Sequence, residues 1–331
     1  MSAPAPDAGT AVSRIVDVAA AVIVRRNGDV LLAQRPPGKP YAGYWEFPGG
    51  KLEAGETAAA ALARELHEEL GLAVRRATPW LTQEFVYPHA HVRLHFFRVF
   101  RFDGQPHGHD GQAFAWQTPG RFTVAPLLPA NTRVLAALAL PPVYGITCAE
   151  DDGEDVFIER AAAALHAGLR MIQVRDRTWP EARRQALAQR LRTLAAPFAA
   201  TLLYNGDAGV ARALGMAGVH WTSAALHAAS ERPRDLLVAA SCHDERDLAL
   251  ATALDVDFAV LGPVRATVSH PDAVPLGFAR FAALIRDTRL PVYALGGLTA
   301  ADLDEAMDHG AHGVALRRAA WPTVDPRRSL A

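Results

Sequence analysis

The second half of this chain alternates short apolar stretches with helix-forming segments, and this alternation constrains the fold more than any other feature. Each apolar stretch is three to five residues long, and helical sequence lies between most of them. Strands that alternate with helices are typical of parallel sheets. Eight such units within residues 141–331 predict a (β/α)₈ TIM-type barrel. The predicted strands are 143–147, 171–174, 201–204, 219–221, 237–240, 258–261, 292–295 and 314–316.

The first half has a different order of elements, in which strands dominate. Residues 15–24 and 30–33 are predicted strands, and Asn27-Gly28 between them is typical of a hairpin turn. After a helical segment, three more strands are predicted, followed by a helix. These elements cover residues 80–87, 91–102, 113–117 and 127–138.

Between the two groups of strands, residues 49–72 predict a glycine-rich loop followed by a short helix. Thr57 is a candidate N-cap of this helix, and the alanines after it favour helix formation. Gly71 stands where a helix commonly ends with a left-handed residue. Three leucines recur at every fourth position and predict the buried face: Leu62, Leu66 and Leu70.

The opposite face of the predicted helix gathers Glu65, Glu68 and Glu69 at i, i+3 and i+4. Like charges at this spacing oppose helix formation by roughly 0.2–0.5 kcal/mol per pair, and no Lys or Arg stands one turn further on to relieve them. Two interpretations remain open: an acidic face in water, or a site for a hard cation such as Mg²⁺. Glu56 and Arg64 are expected to pair and to hold the loop against the helix.

The spacing of residues in this segment resembles the Nudix box. The matching positions are Gly50, Glu56, Arg64-Glu65-Leu66, Glu68-Glu69 and Gly71-Leu72. The resemblance implies a hydrolase of nucleoside diphosphates linked to another group. It also implies dependence on Mg²⁺, with Mn²⁺ able to replace it, and an α/β/α sandwich with a mixed sheet.

Along roughly residues 15–138 the chain resembles Nudix proteins of the MutT type. The resemblance implies that Glu65, Glu68 and Glu69 are catalytic and bind the metal, together with the carbonyl of Gly49. Asp110 is similar in position to a further acidic metal ligand of MutT proteins, which is usually Glu. The substrate-binding residues that the resemblance implies are Arg35, Phe47 and Asn131.

The implied reaction is the hydrolysis of 8-oxo-dGTP to the monophosphate and pyrophosphate, which removes an oxidised nucleotide before DNA replication uses it. The carboxamide of Asn131 offers both a donor and an acceptor, which suits the edge of an oxidised guanine. A plain helix cap is the alternative role for Asn131. Another nucleoside diphosphate derivative is the alternative substrate.

Five histidines lie between His89 and His109. Their spacing fits no zinc motif. They are therefore predicted to be solvent-exposed residues of strands and loops.

The predicted barrel resembles the thiamine phosphate synthase/TenI family along nearly its whole length. In a (β/α)₈ barrel, chemistry takes place at the C-terminal ends of the strands. A Gly-Gly pair after the seventh strand is typical of a phosphate site. The candidate ligand-binding residues at these ends are Gln173, Arg175, Asn205, His220, His243, Thr267, His270, Gly296 and Gly297.

The barrel departs from that family where synthase chemistry is expected. Gly206 replaces a metal-binding Asp, residues 221–224 lack a second acidic ligand, and His270 replaces a lysine. Arg317-Arg318 replaces small residues that donate to phosphate. Because Mg²⁺-pyrophosphate needs carboxylate ligands, synthase activity is not expected.

Two alternatives remain for the barrel. Thiazole tautomerases of the same family use no metal, and His220, His243 and His270 are expected to converge at the barrel mouth, where they could exchange protons. The other alternative is a non-catalytic module that binds a phosphorylated ligand.

Length and composition set the remaining expectations. The 331 residues allow two domains, predicted at 15–140 and 141–331 after a disordered tail at 1–14. A net charge of -1 gives no general attraction for nucleic acid. Two cysteines without metal spacing fit a reducing cytoplasm, and no apolar run reaches membrane-spanning length. The expected partner is a small-molecule nucleotide, with no direct contact to nucleic acid or membrane; the oligomeric state is left open.

Overall fold

A computed structural model describes residues 15–108, 112–267 and 274–323. These residues form two compact units. The domain boundary predicted between residues 140 and 141 stays a prediction. The first unit contains the described residues up to 77, 82–118 and 122–132, and the second contains 78–81, 119–121 and those from 133 onward.

The strands of the first half form two sheets. In chain order they are β1 (Val16–Ile23), β2 (Val30–Gln34), β3 (Trp45–Glu46), β4 (Gly49–Lys51), β5 (Ala73–Tyr87), β6 (Ala90–Asp103) and β7 (Phe114–Gln117). The larger sheet has the order β4-β1-β6-β5, and the smaller has the order β3-β2-β7. Because β1 runs parallel to β6 and antiparallel to β4, the larger sheet is mixed, as predicted.

The turn at Asn27-Gly28 forms, but it does not join two strands of one sheet. The backbone N of Arg25 donates to the carbonyl of Asp29 at 2.9 Å. A bridge joins Val24 to Val30, and the two strands then enter different sheets. The predicted hairpin turn is therefore confirmed, but antiparallel pairing stops at this bridge, because β1 pairs with β6 along its whole length.

Helix α1 (Ala58–Leu70) packs against β1 and β4 of the larger sheet. The hydroxyl of Thr57 accepts a hydrogen bond from the backbone N of Ala60 at 3.2 Å, as expected of an N-cap. Gly71 ends the helix in the left-handed conformation, with φ 66°. The three predicted core leucines are buried: Leu62, Leu66 and Leu70.

The helix predicted over residues 127–138 begins later than expected. Pro129–Asn131 forms a 3₁₀ turn, and helix α2 (Thr132–Leu138) follows it. Asn131 is therefore the last residue of the turn, and its backbone N donates to Leu128 at 2.9 Å. Its carboxamide does not cap α2, whose preceding turn begins at Pro129.

The strands of the second half are all parallel and close into an eight-stranded barrel, as predicted. They are β8 (Val143–Ile146), β9 (Met171–Val174), β10 (Thr201–Asn205), β11 (Gly218–Trp221), β12 (Leu237–Cys242), β13 (Phe258–Leu261), β14 (Val292–Leu295) and β15 (Gly313–Leu316). The helices between them are α3 (Ala149–Asp152), α4 (Glu154–His166), α5 (Glu181–Ala195), α6 (Ala208–Ala213), α7 (Ser223–Ala228), α8 (Glu245–Ala253), α9 (Gly277–Ile285) and α10 (Leu303–Asp308).

The barrel interior is filled mainly by large apolar side chains, among them Tyr144, Phe258 and Tyr293. A second apolar layer lies between the strands and the surrounding helices. Polar side chains enter the interior near the C-terminal ends of strands, where Gln173, Asn205 and His220 are buried. Of the helices that the structure describes, none is long and apolar enough to cross a lipid bilayer.

Replacing Thr57 with Ala should loosen the first turn of α1, because the hydroxyl that accepts from Ala60 is lost. Loss of an N-cap hydroxyl costs about 1 kcal/mol, so amide protection in α1 should fall roughly fivefold. Hydrogen exchange of the full chain, followed by mass spectrometry, measures this change. Thr57→Ser keeps the hydroxyl and should exchange like the wild type. Unchanged protection in the alanine variant would contradict the capping role.

Candidate functional site

A cavity of about 550 Å³ lies in the first unit, with β4 and α1 contributing to its wall. This volume suits a nucleotide-sized ligand. The predicted residue Glu68 does not line the cavity, and Asp110 lies outside the described residues. The lining includes six residues predicted to act on a nucleotide: Arg35, Phe47, Gly49, Glu65, Glu69 and Asn131.

Two glycines of β4 allow a close approach that no other residue permits. A Cβ atom on Gly49 would lie 2.0 Å from the carbonyl oxygen of Ala19 on the neighbouring strand. A Cβ on Gly50 would lie 2.1 Å from the carboxyl group of Glu65. Both distances are far below van der Waals contact. Gly49 therefore lets β4 lie close to β1, and Gly50 lets the Glu65 carboxylate lie directly against the strand backbone.

Arg64 fixes the loop and the helix relative to each other. Its guanidinium donates to Glu56 at 2.9 and 3.1 Å, as the sequence predicted, and to the carbonyl of Lys51 at 3.1 Å. The hydrogen bond from Arg64 holds the pKa of Glu56 below its usual value. Arg64 also lies 2.8 Å from Glu65 and 3.4 Å from Glu68. The repulsion among the clustered glutamates is therefore relieved by Arg64, which precedes them in the helix, and not by a cation one turn further on.

The three glutamates of α1 differ in their surroundings. The side chain of Glu68 is 59% exposed, whereas that of Glu65 is 16% exposed. Glu65 and Glu69 line the cavity. The structure therefore brings two of the three predicted carboxylates to the site, and the catalytic role of Glu68 stays a prediction.

The residues of α1 and β4 that line the cavity fit a hard divalent cation. Among the described residues, no three His, Cys, Asp or Glu side chains are grouped closely enough to bind one metal ion. Mg²⁺ bound together with substrate phosphates needs only one or two protein carboxylates. Glu65 and Glu69, beside the backbone of Gly49, supply oxygen donors of the type that Mg²⁺ and Mn²⁺ prefer.

An aromatic group that sequence reasoning missed lines another part of the cavity. The rings of Tyr41 and Tyr87 are 5.3 Å apart, and Tyr87 stacks on His89 at 5.4 Å. Burial raises the pKa of Tyr87 to about 12, so its hydroxyl stays protonated at neutral pH. His89 is solvent-exposed, as predicted, and it also contributes to the cavity wall. Tyr87 is the last residue of a long strand, and this position was the feature of the sequence that could have indicated its place at a site.

Asn131 and Phe47 are both buried at the cavity wall. Asn131 is 3% exposed and lines the cavity. Phe47 is 4% exposed and packs edge-on against Phe96, with ring centroids 5.8 Å apart. Both residues therefore contribute directly to the cavity wall, Asn131 with a polar amide and Phe47 with an apolar ring.

Arg35 lines the cavity but is already engaged by protein groups. Its Nη1 lies 2.6 Å from a carboxylate oxygen of Glu46, and its Nε donates to the carbonyl of Pro40 at 2.8 Å. Burial raises the pKa of Glu46, and the charge of Arg35 opposes this rise. A nucleotide would therefore meet an Arg35–Glu46 pair. Sequence reasoning did not identify Glu46 as part of the site.

A second cavity, of about 560 Å³, lies at the C-terminal ends of the barrel strands. Gln173 and His220 do not line it, because both are 1% exposed inside the barrel. His270 lies outside the described residues. The predicted ligand residues that line this cavity are Arg175, Asn205, His243, Thr267, Gly296 and Gly297.

His220 is part of a buried hydrogen-bond chain. Its Nδ1 lies 3.1 Å from the hydroxyl of Tyr144, and its Nε2 lies 2.9 Å from Oγ of Ser241. Burial, together with the charge of Arg175, lowers the pKa of His220 to about 3, so the imidazole is neutral. The expectation that His220 opens onto the barrel mouth beside His243 was therefore wrong.

The barrel mouth does not fit a site for Mg²⁺-pyrophosphate. Where acidic ligands are expected, Thr222 caps α7 by accepting from Ala225 at 3.1 Å, and Ser223 donates to Asp247 at 3.1 Å. Of the described residues that line the cavity, none is Asp or Glu. Mg²⁺ is usually bound through carboxylate oxygens, and these side chains supply none.

Comparison with known proteins assigns each half to a family. A family model described as NUDIX domain matches residues 15–138, and one described as Thiamine monophosphate synthase matches residues 143–320. The chain is 36% identical to 8-oxo-dGTP diphosphatase of Haemophilus influenzae, with 38% of this chain and 92% of that protein covered. It is 40% identical to CTP pyrophosphohydrolase of Escherichia coli, with 38% and 91% covered.

The second half has relatives of its own. It is 33% identical to thiamine-phosphate synthase of Thiobacillus denitrificans, and the match covers 57% of this chain and 91% of that protein. Each relative is thus matched over nearly its whole length by one half of the chain. The chain belongs to the Nudix family through its first half and to the thiamine monophosphate synthase family through its second half.

Proposed function

We propose that the Nudix half hydrolyses 8-oxo-dGTP, or a similar oxidised purine nucleoside triphosphate, to the monophosphate and pyrophosphate, with Mg²⁺ as the metal. The observation that carries this proposal is that one cavity is lined by Glu65, Glu69 and the buried Asn131. Carboxylates suit the metal–phosphate end of such a substrate. A carboxamide suits its base. The Haemophilus influenzae relative, named 8-oxo-dGTP diphosphatase, supports the same substrate.

The residues around the carboxylates explain how the site is prepared for phosphate chemistry. A divalent cation bound there would supply charge neutralisation and a more acidic water. Arg64 holds Glu65 at 2.8 Å and thereby fixes one carboxylate before substrate arrives. Such fixed charges need little rearrangement during the reaction, which is how an enzyme stabilises a phosphoryl transition state.

The aromatic group of Tyr41, Tyr87 and His89 would pack against the base. Planar rings offer a large contact area to any base, so this group favours nucleotides in general. Selection among bases falls to Asn131, because only a polar group reads the pattern of donors and acceptors. Removal of an oxidised nucleotide in this way would limit mutation during DNA replication.

CTP is the second candidate substrate. The Escherichia coli relative, 40% identical, is named CTP pyrophosphohydrolase. A carboxamide can also pair with the amino group and carbonyl of cytosine. Catalytic efficiencies for 8-oxo-dGTP, dGTP and CTP, measured with the full chain, decide between the candidates. The purine proposal requires 8-oxo-dGTP to exceed both of the others; a preference for CTP would replace it.

Glu69→Gln should lower kcat/KM at least about 100-fold, because a neutral amide is a poor ligand for Mg²⁺. Pyrophosphate release in saturating magnesium provides the measurement. Glu53→Gln is the matched control, since Glu53 is exposed and does not line the cavity. The control should retain wild-type activity. If both variants lose activity equally, the site does not depend on the cavity carboxylate.

Asn131→Ala should reduce the preference for 8-oxo-dGTP over dGTP. Loss of a buried hydrogen-bonding group that reads a substrate costs about 1–3 kcal/mol, which is roughly a 5- to 150-fold change in the ratio of the two kcat/KM values. The ratio is insensitive to a general loss of active protein. An unchanged ratio would assign base recognition to other residues.

A further inference from the structure

The cavity at the barrel mouth is strongly basic. Four arginines line it: Arg175, Arg177, Arg317 and Arg318. No acidic side chain stands among the lining residues that the structure describes. Several like charges around one cavity repel each other unless an anion enters. The composition of the wall therefore points to an anionic ligand.

Of the two arginines in this wall for which the described part of the chain shows no ion pair, Arg175 is the more buried. Its guanidinium is half-buried, and in the described part of the chain no carboxylate forms an ion pair with it. Burial lowers the pKa of Arg175, and the charges of Arg177 and Arg317 lower it further. Its backbone N donates to the hydroxyl of Thr147 at 2.8 Å, which fixes its position on the strand end. A fixed, poorly solvated guanidinium binds phosphate strongly.

Arg317 and Arg318 are held in place by acidic residues outside the cavity. Arg317 lies 2.7 Å from Glu150 and 2.9 Å from Asp151, and Arg318 lies 2.7 Å from Asp151. These carboxylates do not line the cavity. The two arginines are therefore fixed beside the cavity before a ligand arrives, although part of their charge is offset.

Neutral donors complete the wall. Tyr144 is fully buried, so its hydroxyl needs an acceptor, which Nδ1 of His220 provides. Neutral His220 then carries its proton on Nε2 and donates to Oγ of Ser241. The proton of Ser241 is thereby left to donate into the cavity. The Gly296-Gly297 backbone lies close by, where a Cβ on Gly297 would meet the carbonyl of Ala266 at 2.5 Å.

We propose that the barrel mouth binds a diphosphate group directly through Arg175 and Arg177, without a divalent cation. The arginines provide the positive charge that a metal would otherwise supply, and Ser241 and the glycine backbone provide neutral donors. A cation placed among these arginines would be repelled and would find no carboxylate ligand among the described lining residues. This site is separate from the nucleotide cavity of the first unit.

Calorimetric titration of the full chain with inorganic pyrophosphate in excess EDTA tests the proposal. Under these conditions the Nudix site has no cation, so binding reports on the barrel. Arg175→Gln should weaken binding at least about tenfold, because a charge-assisted hydrogen bond is lost. Arg177→Gln should also weaken it, and Arg177 is exposed, so this variant does not disturb the core.

Arg212→Gln is the matched control. Arg212 lies on the barrel surface, pairs with Asp235 at 2.7 Å and does not line the cavity. It should bind pyrophosphate like the wild type. Addition of magnesium should weaken binding, because the magnesium complex of pyrophosphate carries less negative charge. The proposal is overturned by binding that requires magnesium, by absence of binding in EDTA, or by equal affinity in the two cavity variants and the control.

Discussion

The nucleotide cavity depends on one close contact, in which the carboxylate of Glu65 lies against the backbone of Gly50. A single methyl group at position 50 would occupy the space of that carboxylate, at 2.1 Å. Arg64 holds the same carboxylate from the other side at 2.8 Å. The glycine loop and the acidic face of the helix therefore form one structural unit around Glu65. Its effect is to place charge at the cavity wall before any ligand arrives.

The cavities of the two halves are lined by opposite charges, which suit two different ways of binding phosphate. In the Nudix half, Glu65 and Glu69 present negative oxygens, so phosphate can approach only together with a cation. At the barrel mouth, Arg175 and its neighbours present positive charge, so phosphate can approach alone. The family to which the barrel belongs is expected to use acidic metal ligands. Gly206 and Thr222 stand in their places, and this loss is consistent with the basic lining.

Features that depend on neighbours in sequence were predictable. The cap at Thr57, the stop at Gly71 and the buried leucines of α1 follow from local patterns, and the structure confirms them. The eight barrel strands follow from short apolar runs, because such strands are buried on both sides. The resemblance to the Nudix box rests on the spacing of residues within 50–72, which also reflects local structure.

Features that depend on distant contacts were not predictable. Pairing of β1 with β6 places β1 in the larger sheet and limits its pairing with β2 to one bridge. The grouping of Tyr41, Tyr87 and His89 joins a loop to the end of a strand far along the chain. Local spacing placed Glu68 on the acidic face, but it could not show that the cavity lies beside Glu65 and Glu69.

Paramagnetic relaxation by Mn²⁺ tests the central claim, that α1 and β4 hold a divalent cation at the nucleotide cavity. Amide signals of the full chain would be followed by NMR while Mn²⁺ is added with a non-hydrolysable nucleotide. The expected result is selective broadening at Gly49, Gly50, Glu65 and Glu69, with the barrel-mouth amides of Arg175 and Gly297 unaffected. Broadening centred on the barrel mouth, or absent from β4 and α1, would contradict the claim.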